Sequence, residues 1–380
     1  MFAETEDQDL FEQAAARFLE AHYPVARVRA LAAEESTFEP ARWREAAQLG
    51  WTTLLVPEDA GGGSISGNGL ADLLIVTFLF GRHAAPGPLL GTNAVAAALG
   101  RWGSADQHAG PLAELVAGDA TGAWAHASAG GPLAKPSRSV TAALSRDTVV
   151  LSGSAGAVES AADATYLLVT AAEPAGRTQY LVPFAAPGVE LVPLRSIDLT
   201  RRFHDVTLRD VELPVDARVG RAGAAAEQDA HLLDVAAVMA LGEIVGAVDR
   251  AFGMTLEWTT NRYSFGRPLA SYQEIKHRMA DMRTHLEAGA AVASRAALAV
   301  GTGAPDARSW ASAGMAYLGQ HAPEDIQDCI QLHGGIGVTT DHDLHLFLRR
   351  AVLDAYLFGS ATAFAQRLGM LVATTEGVMA

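Results

Sequence analysis

The hydrophobic pattern of this chain changes period twice, and that double change limits the fold more than any single motif does. From residue 5 to 50, stretches such as DLFEQAAARFLEAHY and ARWREAAQLGW repeat apolar residues three and four apart, the stripe of helices packed on one face. A Pro- and Gly-rich loop, LLVPEDAGGGSISGNG, separates them from further helix at about 70–118. Near residue 120 the texture becomes short runs rich in Val, Leu, Thr and Tyr between turn residues: SVTAALSRDTVVLSG, ATYLLVTAA, TQYLVPFAA, VELVPLRS and FHDVTLRDVELP. That spacing predicts antiparallel β structure. From 226 onward long helical runs return, the first closing at the glycine of NRYSFG. The expected architecture is α+β and multidomain: an N-terminal α-helical domain over 1–118, a middle antiparallel β domain over 119–225, and a C-terminal four-helix-type bundle over 226–380.

Bulk properties narrow the function classes. A net charge of −15 argues against general nucleic-acid or anionic-membrane binding, since both require a basic face. The apolar runs read as too short or interrupted to span a bilayer, LADLLIVTFLF by Asp72 and AAVMALGEIVGAV by Glu243. The acidic N-terminus is the opposite of a secretory or transit segment, so the expected location is cytoplasmic. The single cysteine, Cys329, excludes an internal disulfide and reads as a small buried side chain of a helix.

Two strings carry chemistry. In QLHGGIGVTTDH, Gly334, Gly335 and Gly337 leave backbone amides open to a phosphate or a flat ring, although a helix cap followed by a turn has the same composition. Thr340 and Asp343 then suit a capping box, while His342 and His345 have no third ligand nearby for a metal site. In NRYSFGRPLASYQEIKHRMADM, Arg262 offers a bidentate fork for phosphate and Phe265 a surface for a ring. Neither a Gly-x-Ser-x-Gly elbow, a Gly-x-Gly-x-x-Gly turn after a strand, nor a phosphate-binding Gly-Lys-Ser/Thr loop occurs, which removes lipase-like and common nucleotide-binding readings.

Together GWTTLLVPEDAGG, VELPVDARVG, RYSFGRPLASYQEIKHRMADM and QLHGGIGVT resemble, in order and spacing, the acyl-CoA dehydrogenase family along nearly the whole chain. The resemblance implies FAD at a dimer interface and α,β-desaturation of an acyl-CoA thioester. In such enzymes a carboxylate removes the α proton and the flavin takes the β hydrogen. It further implies that Arg262, Ser264, Phe265, Gln273, Gln331, Gly334 and Gly335 hold the ADP half of a flavin lodged mainly in a neighbouring subunit, with Leu269, Tyr272 and Ile275 packing in the same patch.

The elements that serve a subunit's own flavin and substrate depart from the family. Its Thr-Glu-Pro-x-x-Gly-Ser-Asp string should fall near 125–133, where this chain reads AHASAGGPL, and its Trp-Ile-Ser/Thr segment near 157–159, where it reads AVE. The usual glutamate base becomes Phe358, with Gly359 and Ser360 keeping register, and the family's second base position becomes Ala236, beside Ala237. The pattern therefore resembles the base-lacking subunit of actinobacterial heterotetrameric members. That likeness implies a homologous partner subunit carrying the catalytic glutamate, a bulky thioester such as a sterol side chain, and an electron-transfer flavoprotein as acceptor. Two alternatives stand beside it: a homomeric enzyme whose base has moved to Glu159, Asp234, Glu243 or Asp354, and a non-catalytic scaffold without flavin.

Overall fold

The computed structural model describes residues 1–34, 37–126 and 139–375. The first part is helical, with its longer helices at Glu6–His22, Gly69–His83 and Leu89–Trp102. Thr5 starts the first through a capping box with Gln8, and Asn68 caps the second by accepting the Ala71 N–H at 3.1 Å. The Gly69–His83 helix is buried almost throughout. Its Asp72 is tolerated there because it accepts from Gln8 Nε2 at 2.8 Å and from the Ile65 and Ser66 amides at 2.7 and 3.0 Å.

Among the described residues, eight strands make the middle part: β1 (Gly122–Ala125), β2 (Val140–Leu144), β3 (Thr148–Glu159), β4 (Tyr166–Glu173), β5 (Gly176–Pro183), β6 (Val189–Leu194), β7 (Phe203–Pro214) and β8 (Arg218–Val219). Their order is β6-β7-β3-β2-β4-β5-β8, with β1 also on β4. The sheet is mixed rather than wholly antiparallel, because β1 and β2 lie end to end along β4 and both run parallel to it. Composition gave no sign of this, since parallel pairing is set by long-range chain path. Alternation along β4 and β5 serves two cores: Leu167, Val169, Tyr180 and Val182 fill the β core, while Leu168 and Leu181 join the helical one.

The last part is a bundle built on Ala225–Asn261, Gln273–Thr302, Ala307–His333, Leu344–Leu357 and Ala361–Thr375. The first of these ends at Asn261, short of the glycine that sequence pattern assigned as its close. Phe265 and Gly266, at φ 51° and 80°, instead make the two-residue turn of a ribbon pairing Tyr263–Ser264 with Arg267–Pro268. Among the described residues this 37-residue helix is, by length and apolar composition, long enough to cross a membrane, which corrects the sequence reading; 89% of its apolar window is buried within the fold. The capping box expected at Thr340 and Asp343 does not form. Asp343 makes no side-chain cap and binds Arg29 of the N-terminal part instead, a competing charge that local sequence does not reveal.

The Gly69–His83 and Ala225–Asn261 helices cross backbone against backbone. A Cβ on Gly246 would lie 1.9 Å from the Phe78 carbonyl oxygen, one on Gly242 2.0 Å from Thr77 Oγ1, and one on Gly81 1.9 Å from the Glu243 carbonyl oxygen. Gly253, on the same long helix, has open space at that position. Gly246→Ala is therefore expected to destabilise by about 1–3 kcal/mol through overpacking. Gly253→Ala should be neutral or stabilise by about 0.5–1 kcal/mol through helix propensity. Parallel thermal melts of the two variants check the contrast.

Candidate functional site

The two strings singled out from sequence meet at one end of the bundle. Arg262 ends the long helix, its N–H donating to the Trp258 carbonyl at 2.8 Å while its own carbonyl accepts the Leu269 N–H at 2.8 Å. Tyr272 closes the ribbon by donating to the Ser264 carbonyl at 2.9 Å, with the Arg267 guanidinium 3.8 Å from its ring centre. Phe265 is 97% exposed at the turn, and Arg262 is exposed and makes no ion pair among the described residues. Gln273 opens the next helix on the surface; Leu269 is half-buried, and Ile275 packs on the helical core.

The second string lies alongside. Arg278 reaches Asp328 at 3.3 Å, tying the start of one helix to the end of the helix that carries Gln331. The Trp258 and His333 rings stack at 5.1 Å, bringing the foot of the Arg262 ribbon against the residue before Gly334. Gln331, Gly334 and Gly335 are exposed, and a Cβ at either glycine would meet nothing within 4 Å. Gly337 differs, since a Cβ there would lie 2.4 Å from the Ile330 carbonyl oxygen, so it serves packing. A guanidinium without an ion pair, an exposed glycine turn and an exposed aromatic ring form a set that fits a diphosphate joined to a flat base. His342 accepts the Leu344 N–H at 3.3 Å, and no metal-binding group of three or more acidic, Cys or His side chains occurs among the described residues.

The position that the resemblance assigns to the base is filled by rings. Phe358 ends the Leu344–Leu357 helix, 6.2 Å from Trp124 on β1 and 6.2 Å from His126, which are themselves 4.5 Å apart. Burial pushes His126 down to about 4, so it is neutral at pH 7. His126 Nδ1 and Trp124 Nε1 have no hydrogen-bond partner among the described residues. The remainder of AHASAGGPL, residues 127–133, lies outside those described. Ala236 and Ala237 are fully buried. At AVE, a bulge between Ala155 and Val158 sets Ala157 at φ 52°, and Glu159 engages Arg201.

Each acid that the sequence offered as a relocated base is bound to arginine. Arg201 grips Glu159 with two hydrogen bonds of 2.5 Å and also bonds Asp354. Arg350 donates to Asp198 at 2.6 Å, Glu243 at 2.8 Å, Thr200 Oγ1 at 2.9 Å and the Ala85 carbonyl at 3.0 Å, and is fully buried. Burial would raise Asp198, but the Arg350 charge outweighs it and holds that carboxyl below its usual range. Two guanidinium groups face four carboxyl groups, and the excess falls on Asp354, pushed well above the usual range by burial and by Glu243. Asp234, raised by burial against the pull of Arg367 and Arg308, lies 2.6 Å from Arg367 and 3.6 Å from Arg308. Sequence reasoning missed Trp124, His126, Arg201 and Arg350. For Arg350 a signal existed: it stands where the family's Arg-Asp-Ala string has aspartate.

A helical domain, a central sheet and a helical bundle, with this patch at the bundle's end, define the acyl-CoA dehydrogenase fold. Family models for the acyl-CoA dehydrogenase N-terminal domain and C-terminal domain match residues 5–119 and 226–367. Acyl-CoA dehydrogenase IpdE2 of Mycobacterium tuberculosis is 31% identical over 365 residues, 96% of each chain. Among solved structures, a Tcur3481–Tcur3483 steroid ACAD variant superposes with TM-score 0.86 at 29% identity, covering 98% of this chain and 99% of the other. The ChsE4–ChsE5 complex from Mycobacterium tuberculosis does so with TM-score 0.86 at 25% identity and the same coverage. The chain belongs to the acyl-CoA dehydrogenase family of oxidoreductases.

Two variants test the buried charges. Arg350→Met strands Asp198 and Glu243 without their shared cation and should cost about 3–5 kcal/mol, seen as a large fall in melting temperature or in soluble yield. Asp354 keeps its proton to higher pH in the folded chain than in the unfolded one. Its contribution to stability therefore falls as pH rises from about 4 through its folded value. Asp354→Asn cannot ionise, so the melting temperature of the variant minus that of wild type should grow as pH increases above about 4. A difference that is flat with pH would contradict the assignment of the proton.

Proposed function

We propose that this chain is the base-lacking subunit of an FAD-dependent acyl-CoA dehydrogenase whose homologous partner supplies the catalytic glutamate. The observation that carries the reading is an asymmetry. The flavin-ADP patch (Arg262, Phe265, Gln331, Gly334 and Gly335) is open to a neighbour, whereas the base position is closed by Phe358 against Trp124 and His126. FAD, when bound, supplies the acceptor for the β hydrogen of the thioester. This chain's share is positional: Arg262 offers charge-assisted hydrogen bonds to the diphosphate, Phe265 a ring face, and the Gly334–Gly335 turn an open backbone that a ligand can approach closely. The partner contributes the carboxylate that takes the α proton.

The heteromeric assembly and the steroid-type substrate draw support from the named complexes among the structural relatives, and the acceptor would be an electron-transfer flavoprotein. A bulky acyl-CoA thioester is the substrate class. The homomeric alternative loses support because Glu159, Glu243, Asp354 and Asp234 are all bound to arginines. The scaffold alternative leaves the open, uncompensated Arg262 patch without a use.

The chain produced alone should be colourless, and co-production with a glutamate-bearing acyl-CoA dehydrogenase from a neighbouring gene should give a yellow complex that oxidises acyl-CoA. A yellow homo-oligomer active without a partner would overturn the reading. In the complex, Arg262→Ala should weaken FAD binding roughly 10- to 100-fold, the loss of a charge-assisted hydrogen bond. Flavin absorbance per assembly after gel filtration is the check.

A further inference from the structure

We propose that Trp258 and His333 are positioning residues, a stacked indole–imidazole pair that fixes Arg262 and the Gly334–Gly335 turn in one geometry for the ADP portion of the flavin. The inference rests on the flavin-pocket reading above and adds the device that holds the pocket's two halves together. Those halves lie far apart in sequence, one a ribbon after Asn261 and the other a turn after His333. Each half is short and at the surface: the ribbon pairs two residues with two, and both glycines of the turn are exposed.

The rings join the two halves. The Arg262 guanidinium lies 5.6 Å from the centre of the Trp258 ring, within range of a cation–π contact that limits its rotamers before any ligand arrives. Trp258 in turn stacks on His333 at 5.1 Å with an interplanar angle of 21°. His333 is 4% exposed, and its Nδ1 lies 2.8 Å from the Cys329 carbonyl oxygen. A carbonyl only accepts, so the proton sits on Nδ1 and the ring is fixed to its own helix. The next residue is Gly334, at φ 66° and ψ −140°, where the exposed turn begins. The order of contacts is thus Arg262, Trp258, His333, Gly334, a continuous path between the two halves.

Trp258 also leaves its indole N–H without an acceptor among the described residues. A buried donor left unmade is a cost to the fold, and the contacts this indole makes to Arg262 and His333 are through its face. An arginine loses rotamer freedom when it grips a phosphate, and fixing it beforehand returns part of that loss as affinity.

The test is FAD titration of the apo form of the partner complex, read as the dissociation constant beside the apo-complex melting temperature. Trp258→Leu should weaken FAD about ten-fold, while Trp258→Phe, which keeps a stacking face, should stay within about three-fold of wild type. His333→Gln retains a donor for the Cys329 carbonyl but no ring, and should match the leucine variant. If Trp258 acts through Arg262, adding Trp258→Leu or His333→Gln to Arg262→Ala should weaken FAD little beyond Arg262→Ala alone. Full additivity, or wild-type affinity in both Trp258→Leu and His333→Gln while Arg262→Ala is weakened, would overturn the positioning role alone. Unchanged affinity in Arg262→Ala would instead remove the flavin-pocket reading on which it stands. Should the leucine variant fail to assemble, His333→Gln closes the same cycle.

Discussion

The structure depends on a buried exchange of charge between two arginines and four acids. Arg350 draws on Asp198 and Thr200 before β7, Glu243 of the long helix and the Ala85 carbonyl of the N-terminal part, while Arg201 reaches Glu159 of β3 and Asp354 of the last bundle. All three parts of the chain therefore end on the same two guanidinium groups. Burying such charges costs several kcal/mol per ion, repaid only where every donor is matched. The arrangement meets that condition for Arg350, whose Nε, Nη1 and Nη2 all have partners. Surface bridges such as Arg278 to Asp328, with both side chains 40% or more exposed, contribute about 0–1 kcal/mol and hold local geometry only.

That network also bears on chemistry. A general base must hold a lone pair ready for the substrate, and a carboxylate locked in a bidentate arginine grip does not. Glu159 is the clearest case: its two oxygens are both taken by Arg201. Asp354, four residues before Phe358, bonds Arg201, and its carboxyl is raised well above the usual range by burial and by Glu243. The Leu344–Leu357 helix, which the resemblance aligns with the base-bearing helix of the family, is here an anchor where the three parts of the chain meet. Phe358 at its end adds a third ring to Trp124 and His126.

Much of the fold was legible because it follows local periodicity. Apolar residues three and four apart gave the helices, and short β-branched runs gave the strands. Three features were misjudged for one kind of reason. The helix read through to Gly266 stops at Asn261 because Phe265 adopts positive φ in a turn, where sequence favours glycine or asparagine. The Asp343 cap failed because Arg29, far away in sequence, competes for its carboxylate. The parallel pairs on β4 reflect chain path rather than strand composition.

By itself the sequence determined the family, and it set the expectation of a flavin patch from Arg262 to Gly335 and of a lost carboxylate at Phe358, since each rests on residue identity at a fixed spacing. It could not decide what took the carboxylate's place. That required knowing which side chains meet across the domains: Trp124 and His126 on Phe358, Arg201 between Glu159 and Asp354, Trp258 on His333. Burial and pairing are properties of distant contacts, and a charge or a ring has no settled role until its neighbours fix whether it is solvated, paired or stacked.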